Sequence, residues 1–566
     1  MEQNTRKRKI LNIIKFFVIV LAISVFACQP YLNNRLIYTH DLGYHLNRII
    51  SISQNLNIKV FPSFIHSRLL DNLGYANSIF YPEIFLYIPA ILMSLLHLHP
   101  LTVYKIFLIM ITFFTFITTY ISVKGIFKKK EIAWLSTLLY VFSLYRLTDI
   151  YVRGALGEIL CFVFVPLIFY GLYEIIFGEN RKWWIISIGL FGIANSHVLT
   201  FIMIIPIILV LCLFNIDRIF NDKKRFLNLF IAGILGVVLC IGFFGPMLEQ
   251  KVNDKFYVDG ASLLSSDTIK EYATSLSMSL ASNLKSGFAL DSSAKENSMS
   301  EGIGAILLIC AGLIICRKGL SYKENRFEIQ IFILGSIVYL MTTKMFPWEK
   351  CEFLKVIQFP FRLNFIPTMC FSLIGAKSFY EIVTNKRDSI IIFSLIILLI
   401  SGYVLSSVEL NFNSKVYKTF EDVIGIFENQ VGNLEYLPVD TDIKDLNLYN
   451  VNNKENTINF SQVGSKIEFE YNEDNFDFEI NIPLIYYKGY KANLIDENGN
   501  KIKLQVSKNN SNGHVLLKSD ENLKGKITVE YKMTAIQGIC YCITDLGILF
   551  LIGYIIIDYR KRKLIQ

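Results

Sequence analysis

Apolar stretches, separated by short polar and basic segments, fill most of residues 1–407. A helix needs about 20 consecutive apolar residues to cross the hydrocarbon core of a bilayer. The pattern therefore predicts a polytopic α-helical membrane protein with about 12 transmembrane helices. The predicted spans are residues 10–28, 102–122, 132–147, 157–176, 183–197, 199–216, 227–247, 302–316, 328–343, 363–381, 389–407 and 535–557.

The positions of the basic residues indicate how these spans are oriented. Seven clusters of Lys and Arg lie beside or between the apolar stretches, and with twelve spans all of them fall on one side. That side is cytoplasmic, because loops that face the cytoplasm carry an excess of Lys and Arg. The sequence thus predicts a multi-pass protein of the plasma membrane with both termini in the cytoplasm. Residues 29–101, 248–301 and 408–533 are then extracytoplasmic.

One further apolar run, residues 81–98, is long enough to span the membrane. Counting it as a span would move the basic residues 128–130 to the outside, against the charge rule. It also contains Pro82 and Pro89, which interrupt helix hydrogen bonding. We therefore interpret this run as an interfacial or re-entrant helix.

Residues 408–533 have a different pattern, which predicts a C-terminal extracytoplasmic all-β domain. The segment holds 14 Lys and Arg against 20 Asp and Glu, so its net charge is −6. Asn498-Gly499 and Asn512-Gly513 are typical of hairpin turns. Two apolar runs alternate with polar residues, as half-buried strands do. They are Ile467, Phe469 and Tyr471, and then Phe476, Phe478, Ile480 and Ile482.

These patterns give three predicted domains. Residues 1–407 form a transmembrane domain whose first outer loop, residues 29–101, carries the candidate catalytic group. Residues 408–533 form the β domain. Residues 534–566 form the final transmembrane helix and a basic cytoplasmic tail.

Composition excludes several classes of protein. Hydrophobic residues make up 53% of the 566 residues and charged residues only 18%, against about 25% charged in soluble domains. Soluble single-core, collagen-like and disordered proteins are therefore excluded. The net charge of +9 is spread over short clusters between apolar runs, so no nucleic-acid partner is expected. The ten cysteines avoid residues 408–533, which excludes a disulfide framework there.

The first outer loop contains the first group of candidate site residues. Asp41, His45 and Arg48 are spaced at i, i+4 and i+7, which places them on one face of a short helix. A carboxylate close to the membrane, with an imidazole and a guanidinium beside it, suits deprotonation of a hydroxyl next to an anionic lipid headgroup. Tyr75 and Glu83 are further candidates for substrate binding. The alternative is an amphipathic surface helix with ordinary polar residues.

A second group lies between the third and fourth predicted spans, on the outer side. It contains Arg146, Asp149, Arg153 and Glu158. Two arginines on the outside run against the charge rule, and Glu158 lies just inside an apolar run, where an ionisable residue is a functional candidate. The alternative is a structural ion pair, Arg146 with Asp149 or Arg153 with Glu158, that clamps a tight turn.

Two more candidates lie at the ends of predicted spans. His197 follows the fifth span, where it could bind substrate or simply satisfy hydrogen bonds of its own helix. Arg362 precedes the tenth span. It could hold a phosphate through two hydrogen bonds, or extend to the membrane interface as long basic side chains do. Nucleotide-binding, zinc-protease and hydrolase motifs are not found in a credible context, which makes ATP-driven and nicotinamide chemistry unexpected.

The residues around these candidates resemble a known group of bacterial membrane proteins. The stretches are YRLTDIYVRGALGEILCFVFVPLIFYGLYEI, NSHVLTF, MFPWEK and IQFPFRLNF. They resemble the proteins named 6-pyruvoyl-tetrahydropterin synthase-related, a name that is no evidence of pterin chemistry. That group is similar to the YfhO-like proteins and to the GT-C superfamily of integral-membrane glycosyltransferases. The likeness covers residues 1–410, and IPLIYYKGYKA resembles part of the β domain of YfhO-like proteins.

The resemblance implies a GT-C-like fold and a reaction. GT-C enzymes take a sugar from a polyprenyl-phosphate donor at the extracytoplasmic face. Their first outer loop begins with an acidic catalytic residue and contains two helices along the membrane. Asp41 occupies the acidic position, and residues 81–98 match the second helix. Many of these loops carry a paired acidic motif, but Asp41 lies between His40 and Leu42. The resemblance thus implies no cofactor beyond a divalent metal, for which this paired motif is missing.

Taken together, these features predict an inverting glycosyltransferase. Asp41 would deprotonate the acceptor hydroxyl, and Arg146, Arg153 or Arg362 would hold the donor phosphate, whose charge grows as it leaves. The partners are a polyprenyl-phosphate-linked sugar, a cell-envelope glycan or lipid acceptor bound by the β domain, and the lipid bilayer.

Two alternatives belong to other classes. A transporter or flippase would carry ionisable residues near the middle of several spans, or discontinuous helices paired between two halves. A non-catalytic envelope assembly protein would have lost the acidic residue of the first loop, and Asp41 argues against it.

Overall fold

The structure is a computed structural model of the chain. It describes residues 2–32, 36–259, 266–275, 301–317, 319–382, 400–405, 417–418, 434–439, 441, 451–453, 456–472, 478–519 and 524–565. Of the predicted span 389–407, residues 400–405 are described and are helical. The rest of that span, and Phe476 of the predicted strand, lie outside the described residues.

Helices account for most of the described chain up to residue 382. Their lengths range from single turns to 31 residues. The α-helices are α1 (Glu2–Ala27), α2 (Leu42–Asn57), α3 (Asn77–Phe80), α4 (Tyr87–Leu96), α5 (Pro100–Phe127), α6 (Lys130–Val141), α7 (Leu144–Thr148), α8 (Leu156–Ile176), α9 (Ile185–Ala194), α10 (Val198–Leu213), α11 (Ile216–Asn221), α12 (Lys223–Asn253), α13 (Ser266–Tyr272), α14 (Ala305–Gly312), α15 (Arg326–Met341), α16 (Phe365–Ile382) and α17 (Ala535–Ile565).

Single turns of tighter or wider helix connect several of these elements. One of them, Asp149–Arg153, is a turn of π-helix between α7 and α8. Such turns are rare in proteins, but those that occur are often found at functional sites. The 3-10 turns are Gln29–Leu32, Ile84–Leu86, Tyr257–Asp259, Leu313–Cys316, Trp348–Lys350, Glu352–Ile357 and Pro360–Asn364.

Among the described residues, five helical segments are both long and apolar enough to cross a membrane. The prediction of a membrane protein is thus supported, but the number of about 12 spans is not confirmed. Other predicted spans contain shorter helices; α6, for example, has 12 residues and ends before Phe142. The helix α4 has 10 residues and reaches only about 15 Å, half of a hydrocarbon core. The five segments are Arg6–Ala27, Pro100–Phe127, Leu156–Ile176, Lys223–Asn253 and Ala535–Lys561.

The chain forms two compact units. The first contains residues 1–42, 104–237 and 264–420. Within it, α8 and α9 pack closely because small residues line their contact. A Cβ atom on Gly171 would lie only 2.5 Å from the backbone nitrogen of Ile186. The two-residue strands β1 (Leu36–Ile37) and β2 (Tyr417–Lys418) also pair in this unit.

The second unit contains residues 43–103, 238–263 and 421–566. Its main element is a nine-stranded antiparallel sheet with the strand order β4-β3-β7-β10-β9-β8-β11-β6-β5. This confirms a C-terminal β structure after a mostly helical chain. The strands are β3 (Val451–Asn453), β4 (Asn456–Ile458), β5 (Ser461–Val463), β6 (Lys466–Tyr471), β7 (Phe478–Ile485), β8 (Tyr490–Ile495), β9 (Lys501–Lys508), β10 (His514–Ser519) and β11 (Gly525–Tyr531).

The alternation and turn signals in this region are confirmed. Ile467, Phe469 and Tyr471 of β6 are all buried, at 0%, 4% and 1% exposure. The turn with Asn498-Gly499 joins β8 to β9, and the turn with Asn512-Gly513 joins β9 to β10. The glycine of each turn has a positive φ, +82° and +75°, which explains why glycine is needed there.

The buried face of this sheet packs against residues 64–80 of the predicted first outer loop. The two segments share one hydrophobic cluster with Phe256, which follows α12. Backbone hydrogen bonds join them as well, since the amide of Ile485 donates to the carbonyl of Leu73 at 2.9 Å. Around Gly242, α12 packs along α17. The amide of Gly242 donates to Thr544 Oγ1 at 2.9 Å. The loop, the sheet and the two helix segments thus form a single folded unit.

Candidate active site

Asp41 lies in the first unit, immediately before the first residue of α2. Two backbone hydrogen bonds fix it against the π-helical turn: His40 N donates to Val152 O at 3.2 Å, and Asp41 N donates to Arg153 O at 2.8 Å. The contact is close because the turn ends at Gly154, which has a φ of +62°. A Cβ atom there would lie 2.0 Å from the hydroxyl oxygen of Thr39. The glycine therefore allows this approach.

Arg153 is at the centre of a buried charge cluster. It binds Glu158 with both terminal nitrogens, at 2.6 Å for Nη1 to Oε2 and 2.7 Å for Nη2 to Oε1. Nη1 also donates to Asp149 Oδ1 at 2.5 Å. Tyr145 adds a hydrogen bond from its hydroxyl to Glu158 Oε2 at 3.0 Å. One guanidinium thus pairs with two carboxylates.

Arg362 joins the same cluster from a distant part of the sequence. Its Nε lies 3.1 Å from Glu158 Oε1. Its Nη1 donates to Gln358 Oε1 at 2.5 Å and to the carbonyl of Ile357 at 3.3 Å. Nη2 of Arg362 makes no hydrogen bond to any residue that the structure describes. Against the described residues alone, this nitrogen thus keeps both of its N–H donors.

Two aromatic rings hold the guanidinium groups in place. Arg153 lies over the ring of Phe361 and Arg362 over the ring of Phe359, each at 5.0 Å from the ring centre. The two rings are stacked, with centres 5.3 Å apart and planes 14° from parallel. Cation–π contacts of this kind position arginine without neutralising its charge.

Asp41 lies within the electrostatic field of this cluster. Burial raises the pKa of Asp41 above its ordinary value. The positive charges of Arg153, Arg362 and His40 lower it, and the negative charge of Glu158 raises it further. Because the net effect is upward, Asp41 is a stronger base than a free aspartate carboxylate. A carboxylate of this kind can accept a proton from a hydroxyl group.

Asp149 differs from Asp41 in being fully buried, at 0% exposure. Burial raises the pKa of Asp149 to about 8, although Arg153 lowers it and Glu158 raises it. Its Oδ2 atom has no hydrogen-bond partner among the described residues.

Arg146 and His197 are placed apart from these contacts. Arg146 is fully buried and donates from Nη1 to the carbonyl of Val141 at 2.9 Å and from Nη2 to Thr112 Oγ1 at 2.8 Å. The ion pair of Asp149 is formed by Arg153 and not by Arg146. His197 precedes α10, and its Nδ1 accepts a hydrogen bond from the backbone nitrogen of Thr200 at 3.3 Å. It therefore caps that helix.

The other predicted loop residues form a second buried cluster, in the second unit. Arg48 Nε lies 2.8 Å from Glu83 Oε1, and Arg48 Nη1 donates to His45 Nδ1 at 3.2 Å. Glu83 Oε2 lies 3.0 Å from His66 Nε2 and accepts a hydrogen bond from Ser78 Oγ at 2.5 Å. Each polar group of His45, Arg48 and Glu83 named here is thus already paired.

The second cluster lowers the pKa of Glu83 and does not include Tyr75. Burial raises the pKa of Glu83, but His66 and Arg48 lower it by more, so its pKa lies below the ordinary value. The hydroxyl of Tyr75, by contrast, accepts a hydrogen bond from the backbone nitrogen of Tyr436 at 2.9 Å and lies in the core of the sheet. The structure therefore brings Glu83 together with His45 and Arg48, but not with Tyr75.

Several residues of the cluster around Arg153 and Arg362 were not predicted from the sequence. Tyr145, Gln358, Phe359 and Phe361 surround the two arginines, and the interleaving of aromatic residues with arginine in QFPFR is the signal that could have indicated them. In the described part of the chain, no three His, Cys, Asp or Glu side chains converge as a metal site would require. Asp149 and Glu158 hold a guanidinium between them instead.

Comparison with known proteins gives limited similarity. No family model matches the chain. A protein of Lactococcus lactis subsp. cremoris (strain MG1363), described as uncharacterized, is 23% identical over 580 residues, covering 92% of this chain and 91% of its own length. The resemblance to the 6-pyruvoyl-tetrahydropterin synthase-related and YfhO-like proteins stays a prediction.

Among solved structures, an arabinofuranosyltransferase and an oligosaccharyltransferase are similar. The arabinofuranosyltransferase AftD from Mycobacteria has a TM-score of 0.41 and 11% identity, covering 69% of this chain and 27% of its own. The archaeal oligosaccharyltransferase AglB from Archaeoglobus fulgidus, solved with an inhibitory peptide and a dolichol-phosphate, has a TM-score of 0.39 and 12% identity, covering 70% and 56%. This chain therefore spans only a quarter to just over half of those proteins.

Proposed function

We propose that the protein is an inverting membrane glycosyltransferase that moves a sugar from a polyprenyl-phosphate donor to a cell-envelope acceptor at the outer face. One observation carries this proposal. The half-buried carboxylate of Asp41 lies in the field of two guanidinium groups, Arg153 and Arg362. A base that takes a proton from a hydroxyl, and a cation that holds a phosphate, are the two groups that this transfer needs.

Each atom of the proposed step has a defined destination. The acceptor oxygen attacks the anomeric carbon and forms the new glycosidic bond, while the bond from that carbon to the donor phosphate oxygen breaks. The proton of the acceptor hydroxyl moves to Asp41. The electron pair of the broken bond leaves with the polyprenyl phosphate. Attack from the side opposite the phosphate inverts the configuration at the anomeric carbon.

The two arginines take different roles in this proposal. Arg153 has both terminal nitrogens bound to carboxylates, so it positions Glu158 and Asp149. Arg362 has Nη2 free among the described residues and is the group that contacts the donor phosphate. Glu158 lies 3.1 Å from Arg362 Nε and keeps that guanidinium in place. Arg146 donates to Thr112 and a backbone carbonyl and is assigned no contact with the donor.

The test compares Asp41→Asn with Asp71→Asn in the full-length protein. The first change removes the basic lone pair with little change in volume, while Asp71 is an exposed aspartate of the same segment. Cells without the protein are complemented with each variant, and the sugar composition of the envelope is measured beside the amount of folded protein. General-base catalysis contributes about 10²–10⁴ in rate, so Asp41→Asn should resemble the deletion and Asp71→Asn should resemble wild type.

Two outcomes would contradict the proposal. Restoration of the wild-type sugar composition by Asp41→Asn would reject Asp41 as the base. An envelope composition that does not change even in the deletion strain would reject glycosyl transfer and favour a non-catalytic role in envelope assembly.

A further inference from the structure

We infer that Asp149 takes up a proton when a donor phosphate binds at Arg362, so that it balances the added charge as a neutral acid. This inference rests on the proposed function, since it concerns the donor-binding step of the same site. It assigns to Asp149 a role different from that of Glu158, although both carboxylates bind the same guanidinium.

The contacts of the two carboxylates are unequal. Both oxygens of Glu158 are engaged, through the two terminal nitrogens of Arg153, the hydroxyl of Tyr145 and the nearby Nε of Arg362. Asp149 has one contact, from Arg153 Nη1 to Oδ1 at 2.5 Å, and its Oδ2 has no partner in the described part of the chain. Buried oxygens with several donors stabilise an ionised carboxylate, and a buried oxygen with none favours the neutral acid.

The charges of the site indicate when the proton is taken up. Asp41, Asp149 and Glu158 supply three negative charges, and Arg146, Arg153 and Arg362 supply three positive ones. At a pH above the pKa of Asp149 all six groups are ionised, and their charges then balance in the empty site. A phosphodiester bound at Arg362 adds one negative charge to a region of low polarity, where an unbalanced charge is costly. A proton from solvent, bound to Oδ2 of Asp149, restores the balance.

The groups that face Asp149 come from several elements. Arg153 belongs to its own turn, Arg146 and Tyr145 to α7, Glu158 and Cys161 to α8, and Arg362 to the turn Pro360–Asn364. Of these, Arg153, Glu158 and Arg362 act most strongly on Asp149. The pKa of about 8 at Asp149 supports the inference, because such a group is largely ionised in the empty site at pH 8.5 and needs little added negative charge to become protonated at that pH.

Titration calorimetry can count this proton directly. The full-length protein in detergent is titrated with farnesyl methyl phosphate, a phosphodiester with one permanent negative charge. The measurement is repeated at pH 8.5 in two buffers that differ in ionisation enthalpy, and the difference gives the number of protons bound with the ligand. The wild type should take up most of one proton at pH 8.5, and its affinity for the phosphodiester should fall about tenfold per pH unit at pH values above the pKa of Asp149. The Asp149→Asn variant should take up nearly none and bind with little dependence on pH.

Comparison of the wild type with three variants, Asp149→Asn, Asp41→Asn and His40→Gln, keeps the inference open to rejection. Uptake that persists in Asp149→Asn but is lost in Asp41→Asn or His40→Gln would assign the proton to one of those groups and overturn it. Equal uptake in all four proteins would overturn it as well. Binding with Asp149-dependent uptake, in a protein that transfers no sugar, would support the inference and contradict only the proposed enzymatic function. No binding of the phosphodiester by the wild type would contradict both.

Discussion

Gln250 binds both backbone groups of Lys488. Its Nε2 donates to the Lys488 carbonyl at 2.8 Å, and its Oε1 accepts from the Lys488 amide at 3.0 Å. Gln250 lies near the end of α12 and is buried, at 1% exposure. Lys488 lies in the turn between β7 and β8. The pair therefore joins α12, which is long and apolar enough to cross a membrane, to the sheet through two part-buried hydrogen bonds.

Replacement of Gln250 by Ala should loosen this junction. The change leaves the Lys488 amide without its partner, which costs about 1–3 kcal/mol. The Lys488 carbonyl loses one of two hydrogen bonds, because it also accepts from the Tyr531 hydroxyl at 3.1 Å. We expect a lower melting temperature of the purified protein in detergent and faster proteolysis of the sheet. Gln505→Ala is the matched control, because Gln505 is exposed on β9. Equal melting temperatures for Gln250→Ala and wild type would show that the two hydrogen bonds do not stabilise the fold.

Local patterns explain which parts of the fold could be predicted. Alternation along β6 and the two Asn-Gly turns depend only on residues that are neighbours in the sequence, so the sequence alone could predict them. The packing of residues 64–80 into the core of the sheet could not be predicted, because it joins segments about 400 residues apart. Those residues carry no strand-like alternation that would indicate a second layer.

The same distinction holds at the candidate site. The pairing of Arg153 with Glu158, five residues apart, was among the predicted alternatives, and the structure contains it. The contact of Glu158 with Arg362 lies across 204 residues, and no spacing rule connects them. Asp41 reaches the cluster through backbone hydrogen bonds to Val152 and Arg153, which depend on the close approach at Gly154. Candidates could therefore be proposed from residue type, but their partners could not.

The orientation in the membrane can be tested by labelling single cysteines in a cysteine-free protein. Glu470→Cys should react with an impermeant maleimide in intact cells, and Lys129→Cys should react only after the cells are opened. Both side chains are exposed, so accessibility to the reagent depends on the side of the membrane. We expect this orientation because the twelve-span topology places every basic cluster on the cytoplasmic side. Reaction of Lys129→Cys in intact cells would reject the assignment.

The cluster around Glu83 should make the stability of the fold depend on pH. The pKa of Glu83 is lower in the folded protein than in the unfolded chain. Its ionised form therefore stabilises the fold above the unfolded-state pKa, and this contribution is lost as the pH falls through the folded-state value. Glu83→Gln breaks a buried pair with Arg48, which costs about 3–5 kcal/mol at neutral pH.

Melting temperatures of wild type and Glu83→Gln, measured from pH 4 to pH 8, test this prediction. The difference between them should be largest near neutral pH and should shrink at the acidic end. Glu470→Gln is the control, because that side chain is exposed. A difference that stays constant over the whole range would mean that Glu83 does not change its protonation on folding.

Replacement of Arg362 by Ala should mainly weaken phosphodiester binding, and replacement of Arg153 by Ala should mainly destabilise the fold. Arg362→Ala removes the guanidinium whose Nη2 makes no hydrogen bond to a described residue, and a charge-assisted hydrogen bond contributes about 1.5–3 kcal/mol. We expect the affinity for a phosphodiester to fall about 10–100-fold, with a smaller change in melting temperature. Arg153→Ala leaves Asp149 and Glu158 without their shared counter-ion. The main effect of that change should be a loss of about 3–5 kcal/mol in the free energy of unfolding.

Two further variants make the comparison specific. Arg362→Lys keeps the charge but not the planar fork, so it should recover only part of the affinity. Arg181→Ala changes an exposed arginine, whose side chain is 66% exposed, and should affect neither property. The measurements are phosphodiester affinity and melting temperature of each purified variant. If Arg362→Ala bound the phosphodiester as wild type does, while a stably folded Arg153→Ala did not, the two roles would have to be exchanged.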